Sequence, residues 1–170
     1  MNDFLFPPEV TIYIGVFVHW GFLMAFLYSL TTSINNSKKQ AVWLSLVMVI
    51  SYSLSALTDI HKLSYIQLFS YDIGTLFFIL FLRYYLPEKL ISTYLMLGLC
   101  TNSLLFLAMH IDLFVRGNYS PWWLWFFYTV VVNIMDFLMI GIFFIKKDFL
   151  LLAHITDKLA NSVMRTKQSG

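Results

Sequence analysis

The sequence predicts an all-α integral membrane protein, an up-down bundle of five transmembrane helices followed by a C-terminal cytoplasmic amphipathic helix. Composition is the first sign. Of 170 residues, 59% are apolar and 12% are charged, against about 25% charged in an ordinary soluble domain. Mean hydropathy is +0.75. The second sign is segmentation: long apolar runs alternate with short polar breaks, and a spanning helix needs roughly 20 such residues. The third is proline placement. Pro7, Pro8, Pro87 and Pro121 all fall in or beside the breaks, as expected of a residue that starts or ends helices but disrupts their interiors.

The first span is read at 10–31. It is too long for the apolar core of a signal peptide, and Asp3 and Glu9 stand where such a peptide carries basic residues. The second span is read at 41–58; it is the shortest and is rich in serine. The third, fourth and fifth are read at 63–84, 90–111 and 122–145. Short connections make neighbouring spans antiparallel. Residues 146–170 follow as a cytoplasmic segment. In it Phe149, Leu152, Ile155, Leu159 and Val163 recur at helical spacing, while Asp157, Lys158 and Arg165 fall off that stripe. Such a helix lies in the membrane interface or docks on a protein partner.

Basic residues set the orientation. With the N-terminus outside, Lys38, Lys39, Arg83, Lys89, Lys146, Lys147, Lys158, Arg165 and Lys167 are cytoplasmic, and only Lys62 and Arg116 are external. This is the positive-inside pattern. Tyr65, Tyr119, Trp122 and Trp123 form an outer aromatic belt, and Trp43, Tyr84 and Tyr85 an inner one. The expected location is a bacterial inner membrane, multi-pass, with the C-terminus in the cytoplasm. Cys100, the single cysteine, lies in an apolar run and reads as a small hydrophobe. A net charge of +2 gives no reason to expect direct nucleic-acid binding.

Polar side chains inside the spans are the candidate site. An Asp at a helix centre costs about 2.5–3.5 kcal/mol to insert, so Asp72 in the third span and Asp136 in the fifth both require explanation. Thr129, Asn133 and Asp136 share one helix face, as do Asp72 and Thr75 in the third span and Ser45, Tyr52, Ser55 and Asp59 in the second. Counting ~1.5 Å per residue from the outer boundary puts His19, Asp72, Asn102 and Asn133 ~12–16 Å deep and Asp136 ~20 Å deep. His19, Asp72, Asn102, Asn133 and Asp136 therefore form the predicted polar intramembrane site. His19 is the one basic side chain near that depth, and a His19–Asp72 hydrogen bond is the expected pairing.

A second cluster lies at the outer surface, where Asp59 and His61 end the second span and His110 and Asp112 end the fourth. Two His and two Asp suit a divalent metal such as zinc, although residues two apart point to different helix faces. No phosphate-binding loop, zincin pattern or nucleophile elbow occurs, so an enzyme is not the expectation. Val18-His19-Trp20, together with Arg116-Gly117-Asn118 ahead of Pro121-Trp122, resembles pieces of the small bacterial di-haem b-type cytochromes. That resemblance implies haem held by paired histidines on facing helices. Of His19, His61, His110 and His154, only His61 and His110 fall at comparable depth, so haem is kept as a lesser alternative and no cofactor is expected.

Three functions follow. The leading expectation is a small inner-membrane subunit that forms homo-oligomers or docks a cytoplasmic partner through Phe149–Val163, such as a sensor or pore component of a bacterial stress or phage-defence system. The alternative is an oligomeric ion, proton or small-solute pathway using the intramembrane His and Asp. The lesser alternative is haem or metal redox chemistry.

Overall fold

The computed structural model describes residues 8–34, 39–57, 64–85, 89–120, 122–145 and 148. Five α-helices make up nearly all of this: α1 (Pro8–Ser33), α2 (Gln40–Leu57), α3 (Tyr65–Tyr85), α4 (Leu90–His110) and α5 (Trp123–Ile145). A π-helical turn, Ile111–Val115, prolongs α4. There is no strand among the described residues. The C-terminal segment that carries Phe149, Leu152, Ile155, Leu159 and Val163 lies outside them.

Local chemistry explains where the helices begin and end. Pro8 opens α1, a position where its missing N–H goes unneeded. Ser64 and Gln67 form a capping box ahead of α3. The Ser64 amide donates to Gln67 Oε1 at 3.0 Å, and the Ile66 amide donates to Ser64 Oγ at 3.4 Å. This box starts the helix at Tyr65, two residues later than apolarity alone suggests. At the far end of α4, Arg116 N donates to the Ile111 carbonyl at 3.0 Å and Asn118 N to the Asp112 carbonyl at 3.1 Å. Gly117 stops the helix in the left-handed region, at φ 65°.

Four of the helices are long and apolar enough to cross a membrane: Tyr13–Ser33 of α1, α3, α4 with its π-turn (Leu90–Val115), and α5. α2 is shorter. The outward faces are strongly apolar. Phe17, Trp20, Phe77, Phe81, Leu104 and Phe126 are all more than half exposed. Water would penalise so much contiguous apolar surface, whereas lipid does not.

The helices close into a ring. α1 packs on α2 and α5, α3 on α2 and α4, and α4 on α5, with a lighter α2–α4 contact across the middle. Cross-helix pairs fix the directions. Phe17 meets Phe137 and Tyr28 meets Phe144, so α1 and α5 run parallel. Gly98 faces Met139, whereas Asn102 meets Asp136 and Phe106 meets Tyr128, so α4 and α5 run antiparallel. α4 is the most enclosed helix: Ile91, Ser92, Thr93, Tyr94 and Leu95 are consecutive and all buried. The apolar core runs from Val18, Phe22 and Ala25 through Leu44 and Met48 to Leu95, Leu99, Met139 and Phe143.

Two glycines mark close approaches. A Cβ on Gly98 would lie 2.5 Å from Met139 Sδ and 2.6 Å from its Cγ, and Met139 is fully buried. Gly141, in contrast, has nothing within 4 Å of that position. Gly98→Ala should therefore destabilise the bundle by about 1–3 kcal/mol through overpacking. Gly141→Ala should stabilise it by about 0.5–1 kcal/mol through helix propensity. Thermal unfolding in detergent micelles checks both; equal effects at the two positions would show that α4 and α5 do not meet there.

Candidate intramembrane carboxylate site

The polar seam lies where α2, α3, α4 and α5 face one another. Most hydroxyls of the spans take no part in it. Ser45, Ser70, Thr101, Ser103 and Thr129 each donate to a carbonyl three or four residues earlier on their own helix, which satisfies them locally. What remains is a small set of side chains that reach across helices.

Asp136 is the centre of that set. Its Oδ1 accepts from Tyr52 Oη on α2 at 2.5 Å and from Asn102 Nδ2 on α4 at 2.9 Å. Phe22 of α1 packs against the Tyr52 ring, with centroids 4.4 Å apart. Two helices thus converge on one carboxylate of α5, and α1 backs the Tyr52 ring. Ser51 of α2 and Thr75 of α3 bond to each other at 2.6 Å, and Thr75 also donates to the Tyr71 carbonyl at 2.8 Å.

A cavity of about 70 Å³ opens between these groups, lined by Ser51, Tyr52, Ser55, Leu68, Tyr71, Asp72, Asn102, Phe106, Val132 and Asp136. It has room for a few water molecules. Asp72 and Asp136, from different helices, both face it and are only 8% and 7% exposed. No Lys, Arg or His is part of the lining. Two buried polar atoms of lining residues have no hydrogen-bond partner: Asp72 Oδ2 and Asn102 Oδ1.

Of the five residues expected in the intramembrane site, the structure brings three together: Asp72, Asn102 and Asp136. The other two stand apart. Asn133 Nδ2 donates to the Thr129 carbonyl of its own helix at 2.6 Å and is not part of the lining. His19 is half-buried on α1, its Nδ1 without a partner. No hydrogen bond joins it to Asp72, because α1 packs on α2 and α5 rather than on α3. The expected depths also shift. Asn102 bonds directly to Asp136, although counting from Ile111 put it nearer the surface. The π-turn carries α4 on to Val115, which adds four residues above Asn102 and lowers it to the level of Asp136. Tyr52 was visible as part of a polar stripe, but nothing in the spacing marked it as the donor to Asp136. Its long side chain covers a difference in height that residue counting does not anticipate.

The outer cluster is only partly described, since Asp59 and His61 lie outside the described residues. Asp112 is 2% exposed. It accepts from Trp122 Nε1 at 2.7 Å, with longer contacts of 3.4 Å from Asn118 Nδ2. It therefore ties the 116–122 loop to the end of α4. His110 stacks on Phe114, with centroids 4.9 Å apart. Among the described residues, no group of three or more His, Cys, Asp or Glu comes together as a metal site would require.

The Tyr52–Asp136 bond gives a direct test. Tyr52→Phe should cost about 1–2 kcal/mol by leaving a buried carboxylate one donor short. The same change in an Asp136→Asn background should cost about 0.5 kcal/mol or less, because the charge that the phenol serves is gone. Equal losses in the two backgrounds, measured by unfolding in detergent, would show that the pair is not coupled.

No protein-family model, curated protein or solved structure matches this chain.

Proposed function

We propose that the chain is a small multi-pass membrane protein that provides a pathway for a small cation through the Asp72–Asp136 cavity. The observation that carries this reading is the placement of two buried carboxylates from different helices around one small cavity with no basic side chain in its lining. Magnitudes argue against simple helix adhesion. Inter-helix hydrogen bonds in membranes stabilise by about 0.6 kcal/mol on average. Each Asp costs about 2.5–3.5 kcal/mol to place at that depth. Asn or Ser would hold the helices together at lower cost. A pair of acids is useful where positive charge has to be stabilised in transit.

In this reading all five helices cross the bilayer. α2 has 18 residues, ~27 Å at 1.5 Å per residue, close to the ~30 Å of a hydrocarbon core. Its contacts with α1 and α3 through Tyr52 and Ser51 support placing it inside the ring. The distribution of Lys and Arg supports an external N-terminus and a cytoplasmic C-terminus. Five helices make a small transporter, so a homo-oligomer is part of the proposal. The alternative role, a subunit that docks a cytoplasmic partner through Phe149–Val163, rests on residues outside the described ones. The carboxylate cavity is what favours the pathway.

Proteoliposomes with an imposed membrane potential test this. Purified protein should conduct protons or alkali cations above empty vesicles. Asp72→Asn and Asp136→Asn should each lower the flux by roughly tenfold or more, the effect of losing about 1.4 kcal/mol of cation stabilisation. Flux no greater than in empty vesicles, or unchanged in both variants, would overturn the proposal.

A further inference from the structure

Hydrogen bonds fix the direction of most hydroxyl protons around the cavity. The Thr75 hydroxyl donates to the Tyr71 carbonyl. The 2.6 Å bond between Ser51 and Thr75 must then be donated by Ser51. The Tyr52 hydroxyl donates to Asp136, and the Ser55 hydroxyl donates to the Tyr52 carbonyl at 2.8 Å. The Ser51, Tyr52 and Ser55 protons of the lining are thus directed into protein acceptors, and the Tyr71 phenol is the remaining hydroxyl of the lining. What two lining residues leave buried and unbonded are lone pairs, on Asp72 Oδ2 and on Asn102 Oδ1. Asn102 is 1% exposed, and its amide is oriented by the bond from Nδ2 to Asp136. A buried acceptor without a donor is costly, by about 1–3 kcal/mol and more for a charged group.

We infer that this cavity is a binding site for a partly dehydrated monovalent alkali cation, with Asp72 and the Asn102 side-chain carbonyl as its principal ligands. The inference rests on the cation-pathway reading and names the ion class. The donor set is entirely hard oxygen; no imidazole, thiolate or thioether lines the cavity. That chemistry suits alkali and alkaline-earth ions rather than transition metals. The number of free ligands selects between the two. Asp136 already accepts from Tyr52 and Asn102, which leaves Asp72 Oδ2 and Asn102 Oδ1 as the buried acceptors of the lining without a partner. Two protein ligands suit a singly charged ion that keeps part of its hydration shell, whereas calcium takes 6–8 oxygen ligands. Ser51 and Tyr52, lining residues whose protons point elsewhere, can accept hydrogen bonds from waters that accompany the ion.

The test uses full-length wild-type protein in lipid nanodiscs. Equilibrium binding of radioactive sodium ion should saturate at one ion per chain. Melting temperature should rise in sodium chloride relative to choline chloride at equal ionic strength, since an ion that binds only the folded state stabilises it. Asp72→Asn and Asn102→Ala should each weaken sodium binding by roughly tenfold or more, about 1.4 kcal/mol. A lithium, sodium and potassium series then ranks the ions. Absence of saturable binding by any alkali ion, with identical melting in sodium and choline, would overturn the inference, and so would wild-type affinity in both variants. Proton flux with no alkali-ion binding would defeat this inference and leave the pathway standing. Saturable sodium binding with no flux of any cation would support the site and defeat the pathway.

Discussion

The bundle is organised around the need to solvate one carboxylate far from water. Asp136 sits in a helix whose neighbouring positions are almost wholly apolar, Ile134, Phe137, Leu138 and Met139 among them. In such surroundings the protein must supply the hydrogen bonds that water would otherwise give. Tyr52 supplies one from α2 and Asn102 another from α4. Those two bonds fix the register of three helices at once. Sliding α4 by one turn along α5 moves Asn102 ~5.4 Å from its acceptor and drives Met139 out of the space that Gly98 leaves for it. Phe22, stacked on Tyr52, extends the same registration to α1. Polar pairing and close packing thus demand the same arrangement, and such agreement favours a single native structure.

Asp72 is different in kind. Asp136 is provided for within the protein, while Asp72 Oδ2 is buried and has no partner. Its helix, α3, also makes the looser contact with α2, where a second, largely apolar groove of about 350 Å³ lies beside Val47, Ile50, Leu54, Gly74 and Phe78. One carboxylate therefore has a structural contribution that its bonds account for, and the other does not. That asymmetry makes the cavity more than a packing defect. It places one satisfied acid and one unsatisfied acid across a space large enough for a small guest.

Much of this was legible in the sequence. Apolar run length located all five helices to within a few residues, because the polar and charged residues gather in the breaks between them. Helical periodicity placed Asp72, Asn102 and Asp136 on interior faces, since an ionisable group on the lipid face is prohibitively costly. What remained hidden depends on geometry that periodicity does not encode. The π-turn at Ile111–Val115 lengthens α4 and changes which residues stand level. Asn133 satisfies itself on its own backbone, an option open to any helical Asn and invisible in spacing. The order of helices around the ring separates His19 from Asp72, and a depth estimate carries no information about that order. Tyr52 reaches its partner by side-chain length. The Ser64–Gln67 capping box, by contrast, is a plain local signal for the start of α3.

The most direct measurement of the central claim is carbene footprinting from within the bilayer. A lipid-soluble diazirine is photolysed in vesicles that contain the unmodified protein, and adducts are mapped by mass spectrometry. The account predicts labelling of the outward residues Phe17, Phe77, Phe81, Leu104 and Ile134. It predicts none at Tyr52, Asp72, Asn102 and Asp136, which the bundle encloses. Adducts concentrated on the two aspartates and their partners, with the phenylalanine faces spared, would contradict it.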